Sequence, residues 1–203
     1  MSFLTALSGQ CQETHNLERV KLCMEGQKLA IRIACLFDLE DPRRAFVQSL
    51  AQSTNLYNVS EMKAKNMEAL KALLEVAQTE ANLLKESWRD ILTCISQLDR
   101  FQLISSGVEE GAVPDMLRTQ TGLSNGHQAS ARRSMQIPRR PGMRATNSGV
   151  FHPEIAEEAR NADMVRGVDR VFTNTANLSG DAIVHFVRAV SYTHLTLPTN
   201  REV

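Results

Sequence analysis

The chain has 203 residues, enough to bury one sizeable core or two small ones. Lys plus Arg and Asp plus Glu are both 23, so the general basic surface on which nucleic-acid binding rests is missing and no nucleic acid is expected as a partner. Aromatic residues are only 5%, and Leu, Ala, Met, Glu and Lys dominate the first half, which points to an all-α fold.

At the start, Phe3, Leu4 and Leu7 read as an orphaned helical turn with an apolar face. From Leu22 the apolar positions Leu22, Gly26, Leu29, Ala30, Ile33 and Phe37 share one helical face, with Lys21, Glu25, Lys28 and Arg32 largely off it. This spacing predicts an amphipathic helix with that face turned inward. Asp41-Pro42 offers an N-cap followed by proline at the first helical position, and Ala45, Phe46 and Leu50 continue as a shorter helix, completing a hairpin.

Asn58 to Ser60 is the next start signal, and Met62, Ala69, Leu70, Leu73, Leu74 and Ala77 trace the buried face of a third helix. Leu84, Trp88, Ile91, Leu92, Ile95, Leu98 and Phe101 step by threes and fours through a fourth, ending near Ser105-Ser106-Gly107. Sliding the chain by about 43 residues pairs Met24-Glu25 with Met67-Glu68, Lys28 with Lys71 and Ala34 with Ala77, an offset in the range of HEAT and armadillo units. The expected architecture is therefore HEAT/armadillo-like stacked helical hairpins over residues 1–108. Such units leave apolar surface bare where a neighbour is missing.

Periodicity stops after Gly107, and residues 109–162 read as a flexible, disordered linker rich in Pro, Gly, Ser and Arg. Helix resumes over 163–189, first through Met164, Val168 and Val171-Phe172, then from Ser179 through Ile183, Val184, Phe186 and Val187. In the linker, Arg118, Arg132, Arg133, Arg139, Arg140 and Arg144 occur with no acid between Asp115 and Glu154. Basic runs near a membrane gain about 1 kcal/mol per charge from anionic lipid, so these arginines are candidate membrane contacts; an ordinary solvated linker is the competing reading.

The four cysteines, Cys11, Cys23, Cys35 and Cys94, have no C-x-x-C spacing and no histidine at ligand spacing, so no metal or other cofactor is expected and they read as core thiols. No catalytic motif, phosphate loop or H-E-x-x-H occurs, and the five histidines have no evident partners, which leaves no catalytic residue to name. No signal sequence and no apolar run near the roughly 20 residues of a membrane span are present, so a cytosolic chain with reduced thiols is expected.

Leu22-Cys23-Met24-Glu25-Gly26, Ala30-Ile31-Arg32-Ile33-Ala34-Cys35, Glu61-Met62-Lys63-Ala64-Lys65-Asn66 and Ser87-Trp88-Arg89-Asp90-Ile91-Leu92 resemble a segment of the large Arf guanine-nucleotide exchange factors of the trans-Golgi, the Sec-seven family. Cys94-Ile95-Ser96-Gln97-Leu98-Asp99-Arg100, Val168-Asp169-Arg170-Val171-Phe172-Thr173 and Leu178-Ser179-Gly180-Asp181-Ala182-Ile183 extend the resemblance, which is nearest the fungal members. It implies a fragment from downstream of the exchange domain, without that domain's glutamate motif. The implied role is non-catalytic: regulation and recruitment, with a small GTPase of the Arf family and other domains of the parent protein as partners, peripheral on trans-Golgi membranes. Without the resemblance, the residues alone suggest a generic HEAT-like cytosolic scaffold for protein–protein interaction. Residues 190–203, from Val190-Ser191-Tyr192-Thr193, resemble the translation of a sequencing adaptor and are expected to be non-native.

Overall fold

A computed structural model describes residues 3–106 and 152–195, with side chains described as far as Thr193. Among these residues all regular structure is helical. The α-helices are α1 (Phe3–Glu13), α2 (Leu17–Leu36), α3 (Glu40–Ser53), α4 (Ala64–Thr79), α5 (Trp88–Ser105), α6 (Pro153–Ala159), α7 (Ala162–Asn174) and α8 (Gly180–Leu195).

Local chemistry sets the boundaries. Asn16 starts α2: its Oδ1 accepts from the backbone N–H of Glu18 at 3.0 Å and of Arg19 at 3.2 Å, satisfying two donors that the first turn leaves free. Asp38 ends it in the left-handed region, φ 52°, while Leu39 N–H closes back onto Ala34 O at 2.8 Å. Asn66 fastens α4 at both ends of its amide, accepting from Lys63 N–H at 2.8 Å and donating to Ser53 O at 2.8 Å. That second bond ties the start of α4 to the last turn of α3.

The helices neighbour one another in two successions. In one, α2 lies beside α4 and α4 beside α7; in the other, α1 lies beside α3, α3 beside α5 and α5 beside α8. The hairpin α2–α3 is thus followed by α4–α5, and α7 and α8, whose Phe172 and Phe186 rings lie 6.4 Å apart, extend the two successions in turn, with α6 set against α4 and α5. Central α4 is covered on several sides, so Met67, Ala69, Leu70, Ala72, Leu73, Leu74, Val76 and Ala77 are all buried. A helix apolar nearly all round belongs in the interior. The faces expected for the third and fourth helices are the buried ones, from Met62 to Ala77 and from Leu84 to Phe101.

The first long helix differs. Leu22, Leu29, Ile33 and Phe37, expected inside, are 73%, 58%, 53% and 73% exposed, and the core side is formed by Val20, Met24, Gln27, Ile31, Ala34 and Cys35. Helix α2 is apolar on two sides, and α3 and α4 occupy the second. The N-terminal turn is a full helix rather than an orphaned turn: a Leu7 methyl lies 3.3 Å from where a Cβ on Gly26 would stand, and the Phe3 ring sits 6.1 Å from that of Phe46. Helix α3 begins at Glu40, so Pro42 falls inside its first turn, where no backbone donor is needed. Helix α6 lies within the stretch expected as linker and begins with Pro153 at its first position. Helix α8 continues past Ala189, and the Arg89 guanidinium stands 5.0 Å from the Tyr192 ring centroid.

Candidate interaction surfaces

Charged side chains join successive hairpins at the surface. Lys28 Nζ lies 2.6 Å from Glu25 on its own helix and 2.6 Å from Glu75 on α4. One helix further on, Lys71 repeats the arrangement, 2.8 Å from Glu68 on its own helix and 2.7 Å from Glu158 on α6. For both lysines burial opposes the charge, but the paired carboxylates outweigh it and hold the pKa above the ordinary lysine value. The turns within these two hairpins, α2–α3 and α4–α5, are joined too. Asp38 accepts from Lys85 at 2.6 Å and from Arg43 at 3.1 Å, and Arg43 is itself only 1% exposed. The Lys85 ammonium first, and then the Arg43 guanidinium, hold the Asp38 carboxyl below its usual range.

Among the described residues, two apolar surfaces are uncovered. On α2, Leu22, Leu29, Ile33, Leu36 and the adjoining Phe37 form a stripe at helical spacing, each more than half exposed. At the other end of the succession, Val165 and Phe172 on α7 and Ile183, Val184 and Val187 on α8 are 42–57% exposed. Phe186, an apolar position of the same helix, turns inward: its ring meets Trp88 edge-on at a centroid distance of 5.0 Å.

Two grooves between the helices have mixed linings, polar and apolar. One, of about 990 Å³, runs between α1, α3 and the start of α4, lined by Ser8, Gln12, Gln48, Ser49, Gln52 and Lys65 among others. Lys65 Nζ donates into it, to the carbonyls of Cys11 at 3.3 Å and Gln12 at 2.8 Å, and the Ser8 and Ser49 hydroxyls pair at 2.7 Å. The other, of about 400 Å³, lies between α4, α6 and α7, bordered by Lys71, Glu75, Gln78, Glu158 and Arg170. Gln78 closes part of it by donating to Gly167 O at 3.1 Å.

The thiols are placed for packing. Cys11, Cys35 and Cys94 are buried and Cys23 half-buried, and all are free. Burial pushes the Cys35 and Cys94 thiols up to about 11, and burial together with the Cys23 neighbour pushes Cys11 up to about 12. Thiols so raised are poor nucleophiles at neutral pH. Of the histidines, His15 and His152 are exposed, while His185 Nδ1 lies 3.3 Å from Glu86. Among the described residues no cluster of three or more His, Cys, Asp or Glu could hold a metal ion. None of their helices is long and apolar enough to cross a membrane.

Arg118, Arg132, Arg133, Arg139, Arg140 and Arg144 lie outside the described residues. The Asp38–Arg43–Lys85 cluster was not legible as a unit, because Lys85 lies 47 residues from Asp38 in sequence. The pairing of Lys28 with Lys71 at the repeat offset was the one signal that anticipated a surface contact.

No family model matches the chain. Against individual proteins the similarity runs through nearly all of it. The ADP-ribosylation factor guanine nucleotide-exchange factor sec72 of Schizosaccharomyces pombe is 40% identical, covering 100% of this chain and 11% of its own length. The factor SEC7 of Saccharomyces cerevisiae is 35% identical over 94% of the chain and 10% of its own length. Human brefeldin A-inhibited guanine nucleotide-exchange protein 1 is 38% identical over 98% of the chain and 11% of its own length. The chain belongs to the family of large ADP-ribosylation factor guanine nucleotide-exchange factors, and it spans about a tenth of the length of the relatives it matches.

Proposed function

We propose that the chain is a non-catalytic regulatory and interaction segment of a large Arf guanine-nucleotide exchange factor. In this reading it serves vesicle traffic at the trans-Golgi, contacting activated Arf and other domains of the parent protein. The observation that carries the reading is similarity along essentially the whole chain to exchange factors of which it spans only about a tenth. The two successions of helices, with apolar stripes bare at both ends among the described residues, support a HEAT/armadillo-like stack that works through its surfaces. The arginines from Arg118 to Arg144 supply a cationic segment suited to anionic membrane.

The test has two arms. Mixed with Arf loaded with GDP, the chain is expected to leave nucleotide release at its spontaneous rate; clear acceleration overturns the non-catalytic reading. In the longer protein, Arf loaded with GTP is expected to be retained and the GDP form not. Equal retention of both, or of neither, favours the generic scaffold instead.

A further inference from the structure

Helix α2 displays Leu22, Leu29, Ile33 and Leu36 along one line, with Gly26 and Ala30 as low points between them. We infer that this line is the seat of another helix of the same polypeptide, from the segment N-terminal to Phe3 in the longer protein, lying against α2 as α2 lies against α4. This rests on the proposed function and deepens it, naming one contact within the parent polypeptide that holds whichever GTPase is bound.

The succession of helices provides the first argument. Helices α3, α5 and α8 follow one another in one layer, and each is preceded in sequence by a partner in the other layer: α2, α4 and α7. Helix α1 belongs to the first layer, packed on α3 through Phe3–Phe46 and Ser8–Ser49. Its own partner is the one missing among the described residues. That partner's place is beside α2, on the side away from α4.

The second argument is positional. At the offset that aligns Met24 with Met67 and Ala34 with Ala77, the members of each pair are buried alike. The same offset carries Gly26, Leu29 and Ile33 onto Ala69, Ala72 and Val76 of α4. Those three are 0%, 5% and 1% exposed. The α7 contacts at Gly167 fall on another side of α4, at Leu74 and Gln78. The helix before α4 in its layer is α2, so this side of α4 is the one covered by a preceding layer mate. The equivalent side of α2 is bare, and it carries larger apolar side chains than α4 does.

The third argument is length. About nine-tenths of the relatives' length lies outside the stretch this chain matches, so chain is available to fill the seat. Spacing at i, i+3/i+4 and i+7 suits an amphipathic helix. Leu7 of α1 already folds over the edge of the line at Gly26, where the turn into α1 would bring the preceding helix alongside.

The experiment uses the full-length protein. Leu29→Cys and Ile33→Cys are labelled with a charged maleimide under native conditions and again in denaturant, and peptides are read by mass spectrometry. The expected result is labelling at least about tenfold slower in the native protein; native rates within about twofold of the denatured rates overturn the inference. A photo-crosslinking residue at Leu22 then reports the occupant. Adducts within the same chain, to the segment just upstream of Phe3, are expected. Adducts to a second copy, to a GTPase or to a downstream segment overturn it. In the unsubstituted protein, lysine-reactive cross-links from Lys21 must reach the same upstream segment; links only elsewhere also overturn it, and this arm does not depend on how any variant folds.

Discussion

Lys85, on the turn between α4 and α5, reaches 2.6 Å to Asp38, on the turn between α2 and α3, and both residues hold a positive φ, 48° and 52°. Two left-handed turns from successive hairpins are thus joined by one ion pair, with the buried Arg43 bonded to the same Oδ1. Left-handed backbone disfavours most side chains but is tolerated by Asn and Asp.

Asp38→Asn therefore isolates charge from turn geometry. The folded state lowers the Asp38 pKa, so its contribution to stability is present above the ordinary carboxylate range and is lost as pH falls through the folded value. The variant is expected to unfold at lower urea than the parent at pH 7, with the two converging as pH falls below the unperturbed carboxylate value and through the lowered value of the folded state. A gap that stays constant with pH assigns the effect to the turn and not to the ion pair.

Gln27 has 0% exposure, and neither its Oε1 nor its Nε2 has a hydrogen-bond partner. Taking an amide out of water without new bonds costs about 1–3 kcal/mol. Gln27→Met keeps the length of the side chain and removes the unpaired groups, so it is expected to stabilise the fold by about 1–2 kcal/mol, read from denaturant midpoints. Destabilisation by the same change means that a buried water completes the bonds of Gln27.

Trp88 is the sole tryptophan and fully buried; its Nε1–H donates to Ala81 O at 3.1 Å and its ring faces the edge of Phe186. This ring pair holds α8 to the start of α5. A double-mutant cycle with Trp88→Leu and Phe186→Leu is expected to give a coupling of about 0.5–1.5 kcal/mol, beyond the area that each ring buries. Phe186→Leu alone should also change the Trp88 emission spectrum. Strict additivity shows that α8 is held by its remaining contacts.

The fold class and the third and fourth helices were legible because α4 and α5 meet their neighbours with the side chains that periodicity picks out. Helix α2 was misread for a physical reason. Leu22, Leu29 and Ile33 make a cleaner stripe than the true core side, which is interrupted by Gln27 and made of the smaller Ala34 and Cys35. Hydrophobic spacing identifies a face that avoids water; it does not say which molecule covers it. Helix α6 was missed because seven residues give too few turns for a periodic signal, although His152-Pro153 carried a start signal. The Asn16 cap was equally visible and would have placed the start of α2 five residues earlier. The ion pairs between hairpins were hidden by sequence separation, since Asp38 and Lys85 meet only once α2–α3 and α4–α5 have packed together.

The two sides of α2 lead to opposite outcomes on substitution, which makes the misread face testable within the 203-residue chain. Ile31 is fully buried, whereas Leu29, two residues earlier on the other side, is 58% exposed. Ile31→Ala removes buried methyl groups and leaves a cavity, so a loss of about 2–4 kcal/mol is expected. Leu29→Lys removes little covered area, and lysine is as good a helix former, so stability should change by less than about 0.5 kcal/mol. Association is expected to move the other way. The α2 stripe and Val184 with Val187 on α8 are apolar patches of the kind that drive chains together, so Leu29→Lys and Val184→Lys should each lower the apparent mass in sedimentation at high concentration, while Ile31→Ala should not. Equal destabilisation by Leu29→Lys and Ile31→Ala would show that the stripe is already covered within this chain, and the uncovered seat beside α2 would not exist.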